Sequence, residues 1–327
     1  MVLHHPHGGP RFPLCLAASI SLLLFSAVAR AQQQEPVDVI SVRTDLVAIP
    51  FSVTDSRGHR ISDLKQPDFA LTEEGRALKI DYFASGAERI ALAFVLDNSG
   101  SLREQLARQR DAALGLFLRF GPASSVAVIR FGQSAKLVAP FTRETDRAGA
   151  AFSLPVNLSE RTAIFDAGLV AVEAYGKRSE NSPERRIAIL ISDGLDTAST
   201  ASAQKVIAAA NRANVSFYVI HLPLFTPSDG RLSARPSARG FRDLAEKTGG
   251  KYFVAGTAAS ALNPNARVDL TPVFAAIEDD LRSQYVIGFY PGEASRDGTP
   301  HRVAVSAANR KLKVHQLRTE YSLKPGL

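Results

Sequence analysis

From Val37 to Phe83 apolar and polar residues alternate with period two. Val47, Ile49, Phe51 and Val53 mark one strand, Phe69 and Leu71 a second, and Leu78, Ile80 and Tyr82 a third. Asp55-Ser56-Arg57-Gly58 and Glu73-Glu74-Gly75 turn the chain between them. Half-buried strands joined by short turns read this way, because successive side chains point to opposite faces of a sheet. Pro50 lies inside the first run and has no N–H, so that strand is expected at an edge or a bulge.

From Ile90 to about Arg282 the pattern changes to strand, helix, strand. Apolar runs at 90–96, 126–131, 186–191, 215–220 and 251–254 are short, rich in Val and Ile, and nearly continuous. Runs of that kind suit strands buried on both faces of a parallel sheet. Between them, Phe165, Leu169 and Val172 fall at helical spacing, as do Phe274, Ile277 and Leu281. The segment 132–141 follows its neighbour after a short turn and reads as an antiparallel edge strand. Segment 222–240 reads as a long loop without structure. From Gln284 the period returns to two: a strand over Tyr285–Tyr290, a turn at Asp297-Gly298, a strand at Val303 and Val305, and another at Leu312 and Val314.

Neither end carries enough strands to bury a sheet face alone. The expected fold is α/β: a doubly wound, mostly parallel sheet inserted in a small β-sandwich-like domain built from both chain ends. The expected boundaries are 1–31 for a leader, 32–87 and 284–327 for the two parts of the β-domain, and 88–283 for the α/β domain.

The leader is read from Arg11, the apolar run Leu14 to Ala29, and the A-x-A pattern Ala29-Arg30-Ala31. Together these are a secretory signal peptide with cleavage after Ala31. The apolar run is short for a bilayer span and no later segment approaches one, so the mature chain is expected to lack a stable membrane span and to be secreted or periplasmic. Cys15, the only cysteine, lies inside the leader. The mature chain then has no disulfide, no thiolate metal site and no thiol nucleophile. The net charge is +7, of which Arg11 and Arg30 supply two, leaving +5 spread along the mature chain. A nucleic-acid binder clusters its charge, so no nucleic-acid partner is expected.

Candidate chemistry begins where the first α/β strand ends. Residues 95–102 read VLDNSGSL, placing Asp97, Ser99 and Ser101 at alternate positions. A turn needs only Asn98 and Gly100, and a helix start needs one hydroxyl. In open parallel sheets ligands sit beyond the carboxyl ends of the strands. Two more segments bring oxygens there: Arg161-Thr162-Ala163-Ile164 opens a helix, and Ile191-Ser192-Asp193-Gly194 ends a strand. Singly, each has a plainer reading: Ser101 with Glu104 is a capping box for a helix over 102–119, Thr162 a helix cap, and Asp193-Gly194 a turn. Jointly, hydroxyls with carboxylates form a hard-oxygen donor set suited to Mg²⁺, Mn²⁺ or Ca²⁺.

On these residues the chain resembles the von Willebrand factor A (VWA) domain over roughly 88–282. The motif is the metal-ion-dependent adhesion site: Asp97-x-Ser99-x-Ser101, then Thr162 in RTAIFDAG, then Asp193 in LISDGLDT. The resemblance implies that the serines and the threonine bind a divalent cation, Mg²⁺ first, with the aspartates often acting through water. It implies a coordination position left open for the Asp or Glu of a protein partner, and no catalysis. Arg161 departs from the Gly that related sequences often carry before the Thr. VTDSRG, DFALTEEG and YVIGFYP in the flanking zones are similar to bacterial secreted proteins called VWFA-related.

Arg231, Arg235 and Arg239 in the 222–240 segment, together with Arg161, are expected to form a basic rim that favours acidic ligands. Two other classes stay open: a metal-dependent hydrolase, for which His221 is the candidate base, and a structural envelope module. Against the first, no second acidic residue stands at position 99 and no phosphate-binding G-x-x-x-x-G-K-[ST] loop occurs.

Overall fold

The computed structural model describes residues 46–86, 89–99, 102, 107, 109–153, 161–176, 184–228, 230–262, 268–316 and 318–323. The leader, Ser101 and Glu104 lie outside the described residues.

Among the described residues four strands come first: β1 (Val47–Thr54), β2 (Phe69–Glu73), β3 (Arg76–Leu78) and β4 (Tyr82–Ser85). The α/β part follows with β5 (Ile90–Asp97), α1 (Arg110–Leu118), β6 (Ser125–Phe131), β7 (Ala135–Thr142), α2 (Thr145–Ser153), α3 (Ile164–Gly176), β8 (Arg185–Ser192), α4 (Ala203–Arg212) and β9 (Val215–His221). A hairpin of β10 (Phe225–Ser228) and β11 (Arg231–Ala234) comes next, then α5 (Phe241–Glu246), β12 (Tyr252–Val254), α6 (Ala258–Leu262) and α7 (Thr271–Arg282). The chain closes with β13 (Gln284–Phe289), β14 (His301–Ala307), β15 (Lys313–Gln316) and β16 (Glu320–Tyr321).

The central sheet has the order β12-β9-β8-β5-β6-β7. Its strands pair in parallel except β7, which runs antiparallel to β6 at the edge. Within β5 a period of two survives as size. Ile90, Leu92, Phe94 and Leu96 of β5 face one side, with Leu116 and Phe117 of α1, Phe152 of α2, and Phe274 and Ile277 of α7. Ala91, Ala93 and Val95 face the other, with Ile164 and Ala171 of α3, Val206 of α4 and Phe241 of α5. The sheet is thus covered on both faces, which is why its central strands show no polar alternation.

The two chain ends interleave in two antiparallel sheets, β15-β1-β13-β4 and β16-β14-β2-β3. Ile49, Phe51, Leu71, Tyr285, Ile287, Val303 and Val305 share one core between them. Residues Arg43–Leu327 form one compact unit, so the boundary between the β-part and the α/β part is one of architecture.

Three expectations are corrected. β1 is not an edge strand, since β13 lies on one side and β15 on the other. β15 reaches only Phe51 to Thr54, so Pro50 sits where β1 has a neighbour on one side alone, and the missing N–H costs no ladder bond there. The run Leu78 to Tyr82 is not one strand. β3 ends at Leu78 in one sheet and β4 starts at Tyr82 in the other, the chain crossing between layers while Asp81 N–H donates to Gly288 O (2.9 Å). Segment 222–240 is not structureless: β10 and β11 pair within it, with Gly230 at φ 75° near the tip. Both strands are largely exposed, so no apolar alternation advertised them.

Gly250 fixes how β12 joins the sheet. A Cβ there would stand 1.8 Å from Phe217 O, while Gly250 N–H donates to Ala245 O (3.1 Å) and Val219 N–H to Lys251 O (2.9 Å). Backbone cannot yield as a side-chain tip does. Gly250→Ala is expected to cost about 2–3 kcal/mol through overpacking, read as a lower denaturant midpoint at unchanged slope.

Candidate functional site

The parallel strands finish in register. Asp97 stands opposite Phe131, Leu96 opposite Ile191, Ser192 opposite His221, and Val254 opposite His221. The carboxyl ends of β5, β6, β8, β9 and β12 therefore form one edge, with Asp97 between the turns that follow β6 and β8.

Asp97 is fully buried. Its Oδ1 accepts from Ser99 N–H (2.9 Å), an Asx turn that folds the chain back over the strand end. Its Oδ2 accepts from the Ser192 hydroxyl (2.6 Å), tying the β5 turn to the β8 turn. Asp193 repeats the device: it is buried, and its Oδ1 accepts from Leu195 N–H (2.8 Å). Gly194 turns with φ 81°, and a Cβ on it would meet Ser237 Cβ at 2.8 Å.

Thr162 is also buried, on the other flank of Asp97. The next residue, Ala163, donates N–H to Gly132 O beyond β6 (2.7 Å). The chain after Asp193 then reaches across: Thr162 N–H donates to Thr197 Oγ1 (2.8 Å), and Thr197 and Ala198 N–H donate to Thr162 O (2.8 and 3.0 Å). The reading of Thr162 as the cap of α3 is corrected here. The orphan N–H groups of α3 are taken by a distant loop, Ile164 by Asp196 Oδ1 (2.8 Å) and Phe165 by Ser199 Oγ (2.9 Å). A carboxylate at that end also suits the helix dipole. Asp166 answers from the first turn by accepting from Ala201 N–H (2.8 Å). With the capping done by Asp196 and Ser199, the Thr162 hydroxyl is not spent on α3.

Asp97, Ser99, Thr162 and Asp193 thus come from three loops held at one edge of the sheet. Ser101 lies outside the described residues. Sequence reasoning missed Ser192, Asp196, Ser199 and Arg130. Arg130 is fully buried at the end of β6 and donates to Phe152 O and to Asn98 Oδ1. It braces the Asp97 turn from below. The visible signal was a cation inside the run SVAVIRF. Asp196 and Ser199 gave no local signal, because their partners lie more than thirty residues away.

Burial pushes the Asp97 carboxyl up to about 6, with nearby Asp193 adding in the same direction, and burial also raises Asp193. Two carboxyls held out of water beside each other gain from a cation. Among the described residues there is no group of three or more His, Cys, Asp and Glu placed for a metal. The donor set here is instead two carboxylates with hydroxyls, which fits a hard divalent cation.

His221 does not serve Ser99 as a base. Its Nε2–H donates to Asp193 O (2.8 Å) and its Nδ1 accepts from Tyr252 Oη (2.5 Å), so both nitrogens are engaged. Burial lowers its pKa, keeping it neutral. It holds the Asp193 turn in place.

Arg161 is exposed and donates from Nη2 to Thr197 O (3.2 Å), lying along the capping loop. Arg231, Arg235 and Arg239 are exposed beyond β9, on the hairpin and the segment after it. Ala238 N–H donates to Gly194 O (2.7 Å), joining that segment to the Asp193 turn, and the Arg235 charge favours the ionised form of Asp193. A concavity of about 400 Å³ lined by Phe69, Leu71, Leu78 and Ile80 lies on the β-sandwich, not at the strand ends. Among the described residues no helix is long and apolar enough to cross a membrane.

The family profile described as the von Willebrand factor type A domain matches residues 91–263, more than half of the chain. No curated protein matches by sequence. Among solved structures, the conserved hypothetical protein BatB of Bacteroides thetaiotaomicron is 18% identical, with 58% of this chain and 96% of that one covered and a TM-score of 0.42. A von Willebrand factor type A protein of Catenulispora acidiphila is 13% identical over 81% of this chain and 75% of that one, with a TM-score of 0.46. Proximal thread matrix protein 1 of the mussel byssus, in a structure with a zinc-occupied MIDAS motif, is 14% identical over 63% of this chain and 49% of that one, with a TM-score of 0.46.

Proposed function

From the premise that this chain belongs to the von Willebrand factor type A domain family, we propose that it is a metal-dependent binding module for a protein partner that presents an Asp or Glu. Asp97, Ser99, Ser101, Thr162 and Asp193 would hold a divalent cation, with Mg²⁺ the first choice and Mn²⁺ or Ca²⁺ acceptable. When bound, the cation supplies a Lewis-acidic seat for the partner's carboxylate. The observation that carries this reading is the joining of the three loops at one sheet edge, through Ser192 Oγ to Asp97 (2.6 Å) and Thr197 to Thr162 (2.8 Å).

The chain's own groups have separate tasks. Asp97 and Asp193 supply negative charge from buried positions, and their Asx turns keep each carboxyl aimed along the strand end. Ser99, Ser101 and Thr162 would offer neutral hydroxyl oxygens, weaker donors than carboxylates, so a cation held by them would keep Lewis acidity for the partner's carboxylate. The engaged nitrogens of His221 support binding rather than hydrolysis.

The same proposal places the protein outside the cytoplasm, as a bacterial secreted or periplasmic chain of the VWFA-related type released after Ala31. It takes 88–283 as the binding domain and the strands of both chain ends as its base. Calorimetry with Mg²⁺, Mn²⁺ and Ca²⁺ on the mature chain tests the site. One cation per chain is expected for the natural sequence, and at least tenfold weaker binding for Thr162→Ala. Equal affinity in the two proteins would remove Thr162 from the ligand set, and no heat with any of the three cations would end the proposal.

A further inference from the structure

The β10–β11 hairpin leaves the same strand-end edge as the candidate metal site, and it is not there to build the core. Thr226, Pro227, Ser228, Arg231, Ser233 and Ala234 are all exposed. Its base is nevertheless fixed. Leu222 N–H donates to Ser192 O (2.9 Å), Arg235 N–H to Leu224 O (2.8 Å) and Ala238 N–H to Gly194 O (2.7 Å). The hairpin is therefore anchored at both ends on the one turn, Ser192 to Gly194, that carries Asp193.

The cations nearby divide into two kinds. Arg242 is committed, lying 3.6 Å from Glu246 and over the Tyr252 ring at 4.3 Å. Arg231, Arg235 and Arg239 are exposed, and of these Arg235 lies close enough for its charge to act on Asp193. Solvated charges are common, but these three sit on one anchored arm beside a site that already calls for an anionic partner. Apolar surface adjoins them. Leu224 and Val254 are 36% and 56% exposed, Val254 stands opposite His221 at the strand ends, and Leu262 (72% exposed) lies on α6, which packs against β11. Three of the five large exposed apolar side chains among the described residues gather here. Basic groups beside apolar ones fit a peptide better than a nucleic acid, since the exposed residues of the arm include no aromatic on which a base would stack.

We propose that the β10–β11 hairpin and the segment through Arg239 form a recognition arm for an acidic stretch, carrying apolar residues, of the same protein whose carboxylate enters the metal site. The arm rests on the binding function above and extends it. The cation takes one carboxylate, and Arg231, Arg235 and Arg239 engage acidic side chains flanking it while Leu224 and Val254 cover apolar ones. Such rim charges act mainly on encounter and on choice of partner.

The test uses the mature full chain and a short fluorescein-labelled peptide rich in glutamate and leucine, with a glutamine-for-glutamate counterpart. Anisotropy is read with Mg²⁺ and with EDTA. The natural chain is expected to bind the glutamate peptide in Mg²⁺ and to lose both affinity with added salt and the glutamine peptide. R231Q/R235Q/R239Q is expected to bind the glutamate peptide about tenfold more weakly, and R231E/R235E/R239E about a hundredfold more weakly. Mg²⁺ binding by calorimetry is expected to persist in both variants and to tighten as the positive charge of Arg235 beside Asp193 is removed or reversed, which also verifies that the site is folded. Unchanged peptide affinity in both variants, equal binding of the two peptides, tighter binding of a single-stranded oligonucleotide, or no binding of the glutamate peptide by the natural chain would each overturn the arm. Arginine-dependent binding that is the same in EDTA would uphold the arm and count against the metal reading instead.

Discussion

Asp97→Asn is expected to make the cation-free protein more stable at pH 7.5, by about 3 kcal/mol, and to abolish its response to Mg²⁺. The two effects have one cause. Asp97 is fully buried, and burial raises its pKa from 3.8 to about 6 in the folded chain. The folded value lies above the unfolded one, so the stability linked to the bound proton is complete below about pH 3.8. It is lost as pH rises through about 6, and at roughly 1.4 kcal/mol per unit the loss is about 3 kcal/mol. Asparagine is neutral at every pH and escapes this loss. Its carbonyl can accept from Ser99 N–H, while the Ser192 hydroxyl rotates to accept from the amide. A cation works in the opposite sense, since it favours the ionised Asp97 that burial penalises. At a hundredfold excess over its Kd it is expected to stabilise the natural chain by about 2.7 kcal/mol, a gain expected to fade as the pH falls below 6.

Denaturant melts of both proteins at pH 4, 5, 6 and 7.5, with EDTA and with Mg²⁺, read these terms directly. The difference between the two proteins isolates Asp97 from carboxylates that titrate the other way, such as Asp297, held near 2 by Thr299 and His301. If the variant is no more stable than the natural chain in EDTA at pH 7.5, ionised Asp97 does not carry the burial penalty described. If Mg²⁺ stabilises both equally, the cation binds elsewhere.

Arg130→Met is expected to cost about 3–5 kcal/mol of stability and to weaken cation binding about tenfold. The guanidinium is fully buried and joins the end of α2, through Phe152 O, to the Asp97 turn, through Asn98 Oδ1. Methionine approaches the volume but takes the charged donor away from both that carbonyl and that amide, and losing a hydrogen bond at a buried group costs about 1–3 kcal/mol. Asn98 also donates N–H to Phe131 O (2.7 Å) and Asp97 accepts from Ser192 (2.6 Å), so the turn stays attached to β6 and β8 but loses the guanidinium tie to α2. Arg130→Lys separates charge from geometry. A lysine keeps the cation but cannot present a fork to both acceptors, so it is expected to fall between the two proteins in stability and in affinity. A lysine variant as destabilised as the methionine one would mean that the fork matters and the charge does not. A methionine variant with normal stability and Mg²⁺ affinity would remove Arg130 from the support of the site.

What could be read from the sequence follows how far each signal travels along the chain. Continuous apolar runs at 90–96, 126–131, 186–191 and 215–220 became β5, β6, β8 and β9 within a residue or two, because burial on both faces disfavours polar residues there unless, like Arg130, they find buried partners. Alternation at both chain ends became two antiparallel sheets for the converse reason. The oxygens at 97, 99, 162 and 193 were legible because parallel strands must present their carboxyl ends at one edge. Tertiary structure alone decided the rest: that Asp196 and Ser199 cap α3 and so release Thr162, that Arg130 turns inward to Asn98, that Pro50 sits where β15 does not reach, and that 222–240 forms a hairpin carrying its arginines past Asp193. Each of these depends on hydrogen bonds or pairings between groups far apart in sequence, or on strands exposed on both faces, and neither leaves a periodic trace of buried and exposed residues for the sequence to show.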